Sequence, residues 1–377
     1  MWTDYPDVTL DAKETNIEIA SKTASEYDGV KIQVVSLQWV INQILLKIDP
    51  SVIFDYSVTN QNIENIITCS SCVRSFGSDN KNTITVSLSD ALESLDYAEA
   101  TMFDITGNTV KIRNIEYGYQ NTKTVDVLSS NLKIEINKDH IYNTVKVGAN
   151  SDNNSSEGNY AFNCLKGFSI QNSNVYGDKQ NELDLTCPFK IDMFSIDSWI
   201  SSLAGNDSKS DDTSCDIAMF ACKKAKENGY WVLYKEQTIS NFTGDIATTY
   251  NLPYSPKRSL IKHLPYISIS NWKNSLPIKW VSTDITSAIT SRLGYETKDV
   301  VENSDENSIQ PLFLPLNVSF DTSGEYDAIK AVKTQKYGYI ETEFEDKVYR
   351  GFVEKVVCDI GKQQKQQWEL LLINYDL

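Results

Sequence analysis

"KVYRGFVEKVVCDI" (residues 347–360) and "WELLLINY" (368–375) set the fold class. Along the first stretch, apolar side chains recur on alternate positions between charged ones. That is the period of a strand with one buried face. A short helical pattern, "EYDAIKAVKT" (325–334), precedes them, so the segment 325–377 reads as one helix followed by a three-strand meander. The same alternation appears in "TVKIRNIEYGY" (109–119), "NGYWVLYKE" (228–236) and "LPYISIS" (264–270).

Helical patterns are fewer and short. "SLQWVINQILLKI" (36–48) places Leu37, Val40, Ile41, Ile44, Leu45 and Ile48 on one face. "SLSDALESLDYAEA" (87–100) offers Ser87 or Ser89 as a cap and aligns Leu88, Ala91, Leu92 and Leu95. "STDITSAITSRLG" (282–294) predicts a helix closed by Gly294. A hairpin is expected around Gly107–Asn108. The expected class is therefore α+β, predominantly β, with several small β-barrel-like or sandwich domains and short amphipathic helices.

At 377 residues the chain exceeds one ordinary core. Polar stretches rich in turn formers interrupt it at 149–159, 204–214 and 300–311. Three units are expected: a helix–hairpin module with N-terminal strands (1–125), a β-rich barrel-like domain with long polar loops (126–275), and a C-terminal domain with short helices and a β-meander (276–377).

The net charge of −16 excludes a broad nucleic-acid footprint, which needs a basic face. No run of apolar residues is long enough for a membrane-spanning helix, and "MWTDYPDVTLDAKE" lacks the basic start and apolar core of a signal peptide. Synthesis in the cytoplasm is the expectation. Seven cysteines, an odd and sparse set, do not suggest a disulfide scaffold.

Motifs that carry chemistry are scarce. Cys69 and Cys72 form "CSSC", but zinc needs two more ligands at sensible spacing and no clear helix follows for a redox site. They read as structural thiols. The two histidines are His140 and His263. Asp139 beside His140 would point to the opposite face of a strand, so the two form no dyad. Lysines near glycines, as in "DIGK" (359–362), lack the spacing of a phosphate loop. No pair of carboxylates stands out as a hydrolase centre. No enzyme, cofactor or metal is expected. A carbohydrate-binding surface built on Trp199, Trp231, Trp272 and Trp280 is the alternative, and a glycan or peptidoglycan hydrolase a further one.

One feature departs from the acidic background. "YNLPYSPKRSLIKHLPYI" (250–267) gathers Lys257, Arg258, Lys262 and His263. Ser255 and Pro256 predict a helix start, with Leu260, Ile261 and Leu264 packed inward and the cations fanned outward. Such a patch in an acidic protein suits docking onto the acidic surface of a neighbouring copy. These four residues are the candidate subunit interface.

Several segments, in their shared order, resemble structural tail proteins of tailed phages and prophages of Bacteroidetes. They are "TITVSLSDALESLDYAEATMFDITGNTVKIRNIEYGY" (83–119), "DHIYNTVKVGAN…NYAFN" (139–163), "NELDLTCPFKIDMFSI" (181–196), the 250–267 stretch and "YGYIETEFEDKVYRGFVEKV…QQWELLL" (337–372). The helix–hairpin unit also resembles modules of phage baseplate hub proteins. The resemblance implies a non-enzymatic, hub-like ring subunit of a tail tip or baseplate, joining the tail tube to distal tail proteins. It implies a homo-oligomeric ring, trimer or hexamer, other tail and baseplate proteins as partners, no specific nucleic acid and no membrane insertion. It places the chain in the virion after synthesis in the bacterial host cytoplasm. No catalytic residue carries over.

Overall fold

The computed structural model describes residues 8–11, 16–19, 30–58, 62–70, 72, 83–137, 141–142, 144–149, 168–171, 182–191, 217–227, 229–239, 246–269, 280–282, 290–292, 299–301, 312–324, 326–358 and 365–373. Strands dominate them, arranged in several small sheets with a few short helices, so the fold is α+β and predominantly β.

The first core forms around strand β1 (Val35–Ser36), helix α1 (Leu37–Ile48), β2 (Ile53–Ser57) and β3 (Ile63–Cys69). Helix α1 buries Leu37, Val40, Ile41, Ile44 and Leu45 on the expected face, while Ile48 lies exposed at the last turn. Helix α2 (Leu88–Glu99) packs beside it. Its cap is Ser87, whose Oγ accepts from the Asp90 N–H at 3.0 Å; Ser89 instead bonds Glu93 one turn on. Strands β4 (Thr101–Thr106) and β5 (Thr109–Asn114) make the expected hairpin, and Gly107 supplies the left-handed φ of +61° at its turn. Strand β2 adds to β5 in parallel.

The chain then runs through β6 (Gln120–Leu128) and β7 (Ser130–Ile136) and, further on, β8 (Ile217–Lys223). Strand β8 pairs with all of β3 and is buried along nearly its whole length. A strand covered on both faces is continuously apolar and shows no alternation. Helix α3 (Pro256–His263) places Leu260 in the same core. The stretch 264–270, expected as a strand, begins with a 3₁₀ turn at Leu264–Tyr266 and pairs only at Ser268–Ile269, because Pro265 favours the turn. Of the helix expected over 282–294, the described residues, Ser282 and Thr290–Arg292, are in strands, and the rest lie outside the described residues. Trp280–Ser282 and Thr290–Arg292 are strands, in keeping with the β-branched residues there.

The last unit contains β9 (Phe313–Ser323), helix α4 (Tyr326–Thr334), β10 (Gly338–Phe344), β11 (Lys347–Cys358) and β12 (Lys365–Ile373). The helix and three-strand meander are those expected. The sheet order is β6-β10-β11-β12-β9-β7. Its two end strands are consecutive in the chain, joined by Ser129 alone. The sheet therefore curls round until one bent ribbon, 120–136, closes it as a small barrel. The first half of the ribbon runs parallel to β10 and the second antiparallel to β9. At the bend the two neighbouring serines reach both sides: Ser129 Oγ donates to Glu343 O at 2.9 Å, and Ser130 Oγ to Asp321 O at 2.8 Å. Asn131, with φ of +54°, and register shifts in both pairings absorb the bend. Gly338 lets the ribbon enter, since a Cβ there would lie 2.6 Å from Thr122 O.

Every barrel strand contributes to the interior, including Val127, Val318, Phe320, Ile340, Trp368 and Leu370, and Ala328 of α4 covers it. The buried Trp368 donates its indole N–H to Thr322 Oγ1 at 3.1 Å, and Thr322 donates to Gln366 at 3.0 Å. These pairings cut across the sequential division at 125/126 and 275/276: residues 120–136 belong to the C-terminal barrel. Residues 187–191, 217–222 and 252–267 share a core with α1 and α2. Sequence order misses both groupings because a strand's partners are set by tertiary closure.

Candidate functional site

Helix α3 forms as its sequence predicts. Ser255 Oγ accepts from the Arg258 N–H at 3.3 Å and Pro256 occupies the first turn, where its missing donor costs nothing. Leu260 and Leu264 are fully buried and Ile261 partly so.

Arg258, Lys262 and His263 do not fan freely into solvent as expected. Arg258 makes a two-pronged ion pair with Glu236 of its own chain, at 2.7 and 2.8 Å. Lys262 turns onto the end of α2, where its ammonium donates to the Ala98 carbonyl and lies 3.3 Å from the Glu99 carboxylate. A cation at a helix C-terminus meets unpaired carbonyls and the negative end of the helix dipole. His263 is buried, and its Nδ1 lies 2.8 Å from Ser259 O. A carbonyl only accepts, so Nδ1 carries the proton. Its Nε2 faces the Asp96 carboxylate at 3.5 Å. The Lys257 side chain lies outside the described residues. Three of the four candidate interface residues thus contact groups of their own chain, two of them on α2.

Residues just before the helix bind more of the core together. Asn251 adopts a left-handed φ of +54° and is nearly fully buried. Its Oδ1 accepts from the Ala221 N–H at 2.9 Å. Its amide donates to Ile191 O at 2.9 Å and to Met219 O at 3.0 Å. One side chain so ties two backbone segments to the 3₁₀ turn. Tyr254 donates its hydroxyl to Asn65 Oδ1, Tyr97 donates to Tyr254 O at 2.9 Å, and Ser259 donates to Tyr97 O at 2.7 Å. Burial, with the nearby Glu99 charge, keeps the Tyr254 hydroxyl protonated far above its ordinary range, so it remains a donor. Sequence reading found the basic residues and missed Asn251, Tyr254 and Glu236. The available signal was the "YNLPY" stretch itself, an Asn before Leu-Pro that tolerates positive φ.

A second junction joins this core to the barrel. Tyr119 stacks on Tyr266 at 5.6 Å and meets Phe313 and Phe352 edge-on at 4.8 and 5.1 Å. Burial and the Glu116 charge push the Tyr266 hydroxyl up to about 12. Beside this cluster, Asp104 of β4 accepts from the Lys336 ammonium and from the Tyr337 hydroxyl, the latter at 2.7 Å. Burial works against the Asp104 charge, but those donors outweigh it and hold the carboxyl below its ordinary value.

The remaining sequence candidates are placed as follows. Cys69 and Cys72 are both buried with sulfurs 3.2 Å apart, and the hydrogen bond between them and burial raise the Cys72 thiol far above its usual value. Such thiols are poor nucleophiles. Among the described residues no group of three or more His, Cys, Asp or Glu side chains could hold a metal, and no helix is long and apolar enough to cross a membrane. Of the four tryptophans considered for glycan stacking, only Trp231 has a described side chain; it is partly buried with the Lys226 ammonium 3.8 Å above its ring. His140 and the polar loops at 150–159, 204–214 and 302–311 lie outside the described residues.

No family model and no curated protein matches the chain. Among solved structures it is similar to the prophage tail protein gp18 from Listeria monocytogenes EGD-e, at 13% identity and a TM-score of 0.23. The match covers 58% of this chain and 59% of that one, less than two thirds of its length. A score this low carries no argument about fold or role.

Proposed function

We propose that this protein is a non-enzymatic structural subunit of a phage tail tip or baseplate, hub-like and assembled as a trimeric or hexameric ring with other tail proteins. One observation carries the reading: the ordered series of segments resembling phage tail proteins maps onto the elements that build the two packed cores. Segment 83–119 supplies α2 and the β4–β5 hairpin, 250–267 supplies Asn251 and α3, and 337–372 supplies three barrel strands. Asn251, Tyr254, Arg258, Ser259 and Lys262 in these segments bond within the chain, which supports a structural part. The internal pairing of Arg258 narrows the proposed ring contact to Lys257 and the exposed portions of Arg258 and Lys262.

Two measurements test this. Mass spectrometry of purified phage particles from the encoding strain should detect the chain at a copy number in the multiples of a ring. Light scattering of the isolated protein should give a trimer or hexamer that Lys257→Glu weakens, more at low salt where screening is less. A chain absent from particles and monomeric in solution overturns the proposal. A glycan array with clear hits from such a monomer would turn the assignment to a carbohydrate-binding module.

A further inference from the structure

Among the described residues, the second half of the closing ribbon has one side of its backbone open. Asn137 N donates to Pro315 O at 3.0 Å, one step beyond the Ile136–Leu316 pair. In an antiparallel ladder the residues whose groups face the partner alternate. The N–H and C=O groups of 133, 135 and 137 therefore face β9, and those of 132, 134 and 136 point away. Among the described residues no strand pairs on that outer side. The side chains there are exposed as well. Ile134 is 45% and Ile136 56% exposed, although their ladder partners Val318 and Leu316 belong to the barrel core. Lys133 and Glu135 are exposed on the opposite face. An open edge carrying apolar side chains is a template for another strand.

The sequence of the edge indicates which strand fits. Let a second copy of β7 lie antiparallel with a two-fold axis through Ile134. Ile134 then faces its own equivalent, and Leu132 faces Ile136 of the other copy. These are the residues whose backbone groups point outward, so each pairing can exchange two hydrogen bonds. Lys133 falls opposite Glu135 of the other copy, and Glu135 opposite its Lys133. Both charge pairs occupy non-hydrogen-bonded positions, where side chains stand closest. The two-fold also brings Leu132, Ile134 and Ile136 of both copies onto one face as a continuous apolar stripe. The strand is self-complementary in charge, in apolar pattern and in hydrogen-bond register, as an isologous contact demands.

We propose that β7 is a dimerisation edge, joining two copies through an antiparallel β7–β7 pair centred on Ile134. The contact closes on itself, is separate from the basic helix, and does not depend on the tail assignment.

Sedimentation velocity across a concentration series tests it. The wild-type chain should self-associate in two-fold pairs, either as a free dimer or as paired subunits of a hexamer, and a trimer without such pairs counts against the contact. Lys133→Glu or Glu135→Lys sets like charges opposite each other twice in the contact and should weaken the dimer about tenfold or more. The double reversal Lys133→Glu with Glu135→Lys should restore it, which damage to the fold would not. Ile134→Pro removes an N–H that points away from β9, so circular dichroism should be unchanged while the dimer is lost. A wild-type chain that stays monomeric up to its solubility limit overturns the proposal. So does an oligomer indifferent to the single reversals, or one that the double reversal fails to rescue; the last outcome would assign the edge to a different protein. Loss of ring assembly by Lys257→Glu with the β7 dimer intact would leave this inference standing.

Discussion

Replacing Asn251 by alanine removes three buried hydrogen bonds at once and leaves a residue with a Cβ at a φ of +54°. The Ala221 N–H and the carbonyls of Ile191 and Met219 stay in the core without that partner. A neutral buried hydrogen bond contributes on the order of 1 kcal/mol, and a stranded buried group costs about 1–3 kcal/mol. Three such losses, each toward the lower end of that range, give about 3–5 kcal/mol. Left-handed backbone costs a non-glycine residue about another 1 kcal/mol, a cost that asparagine tolerates better than alanine. Asn251→Gly loses the same bonds but is relieved of that strain, so it should be less damaging than Asn251→Ala by about 1 kcal/mol. Urea titration followed by circular dichroism measures both. The native state should lose midpoint in the order wild type, glycine, alanine. If Asn251→Ala shifts stability by less than about 1 kcal/mol, the clamp is not holding the core. If the glycine variant is the worse of the two, the backbone argument fails.

Other outcomes follow from the same geometry. Asp104→Asn should destabilise the junction between the helical core and the barrel by about 1–2 kcal/mol at pH 7, because its carboxylate accepts from Lys336 and Tyr337. The carboxyl is held below its unfolded value of 3.8, so its contribution is full above about pH 4 and is lost as pH falls through the lowered value; wild type and variant should converge in acid denaturation. The β10–β11 turn places both Glu345 and Asp346 at positive φ, +51° and +58°, where Asn-Gly is favoured. Asp346→Gly should raise thermal stability by about 0.5–1 kcal/mol, and a loss would mean these side chains do something beyond the turn. Alkylation followed by peptide mapping should label exposed Cys358 in the native protein. It should spare Cys69, Cys72, Cys187 and Cys222, which are buried, until the chain unfolds. For Cys187, burial outweighs its hydrogen bonds and pushes the thiol up to about 12.

What could be read from the chain depended on how many faces each element buries. Helices α1 and α2 and strand β10 bury one face, so their periodicity survives in the sequence, whereas β12 turns Leu370 and Leu372 into the barrel and Leu371 onto the Phe313–Phe352 cluster. Strand β8 buries both faces, and its uninterrupted "IAMFAC" run carries no period that separates strand from helix. The basic helix was legible down to its cap and its inward leucines. The destinations of its charges were not, since Glu236 is 22 residues from Arg258 and Glu99 is 163 from Lys262. Nothing local in a sequence encodes contacts at that separation.

The sequence by itself determined the predominance of strands, the capped helices, the Gly107 turn and the position of the one basic helix, because each rests on the nearest few residues. Only the tertiary structure decided that 120–136 is a single ribbon closing a barrel against strands about two hundred residues later. It alone showed that Asn251 is a clamp, that Lys262 and His263 meet α2, and that Arg258 pairs with Glu236. These outcomes depend on which surfaces meet when the chain collapses. That choice is set by the summed burial and hydrogen bonding of the whole fold, which no short window contains.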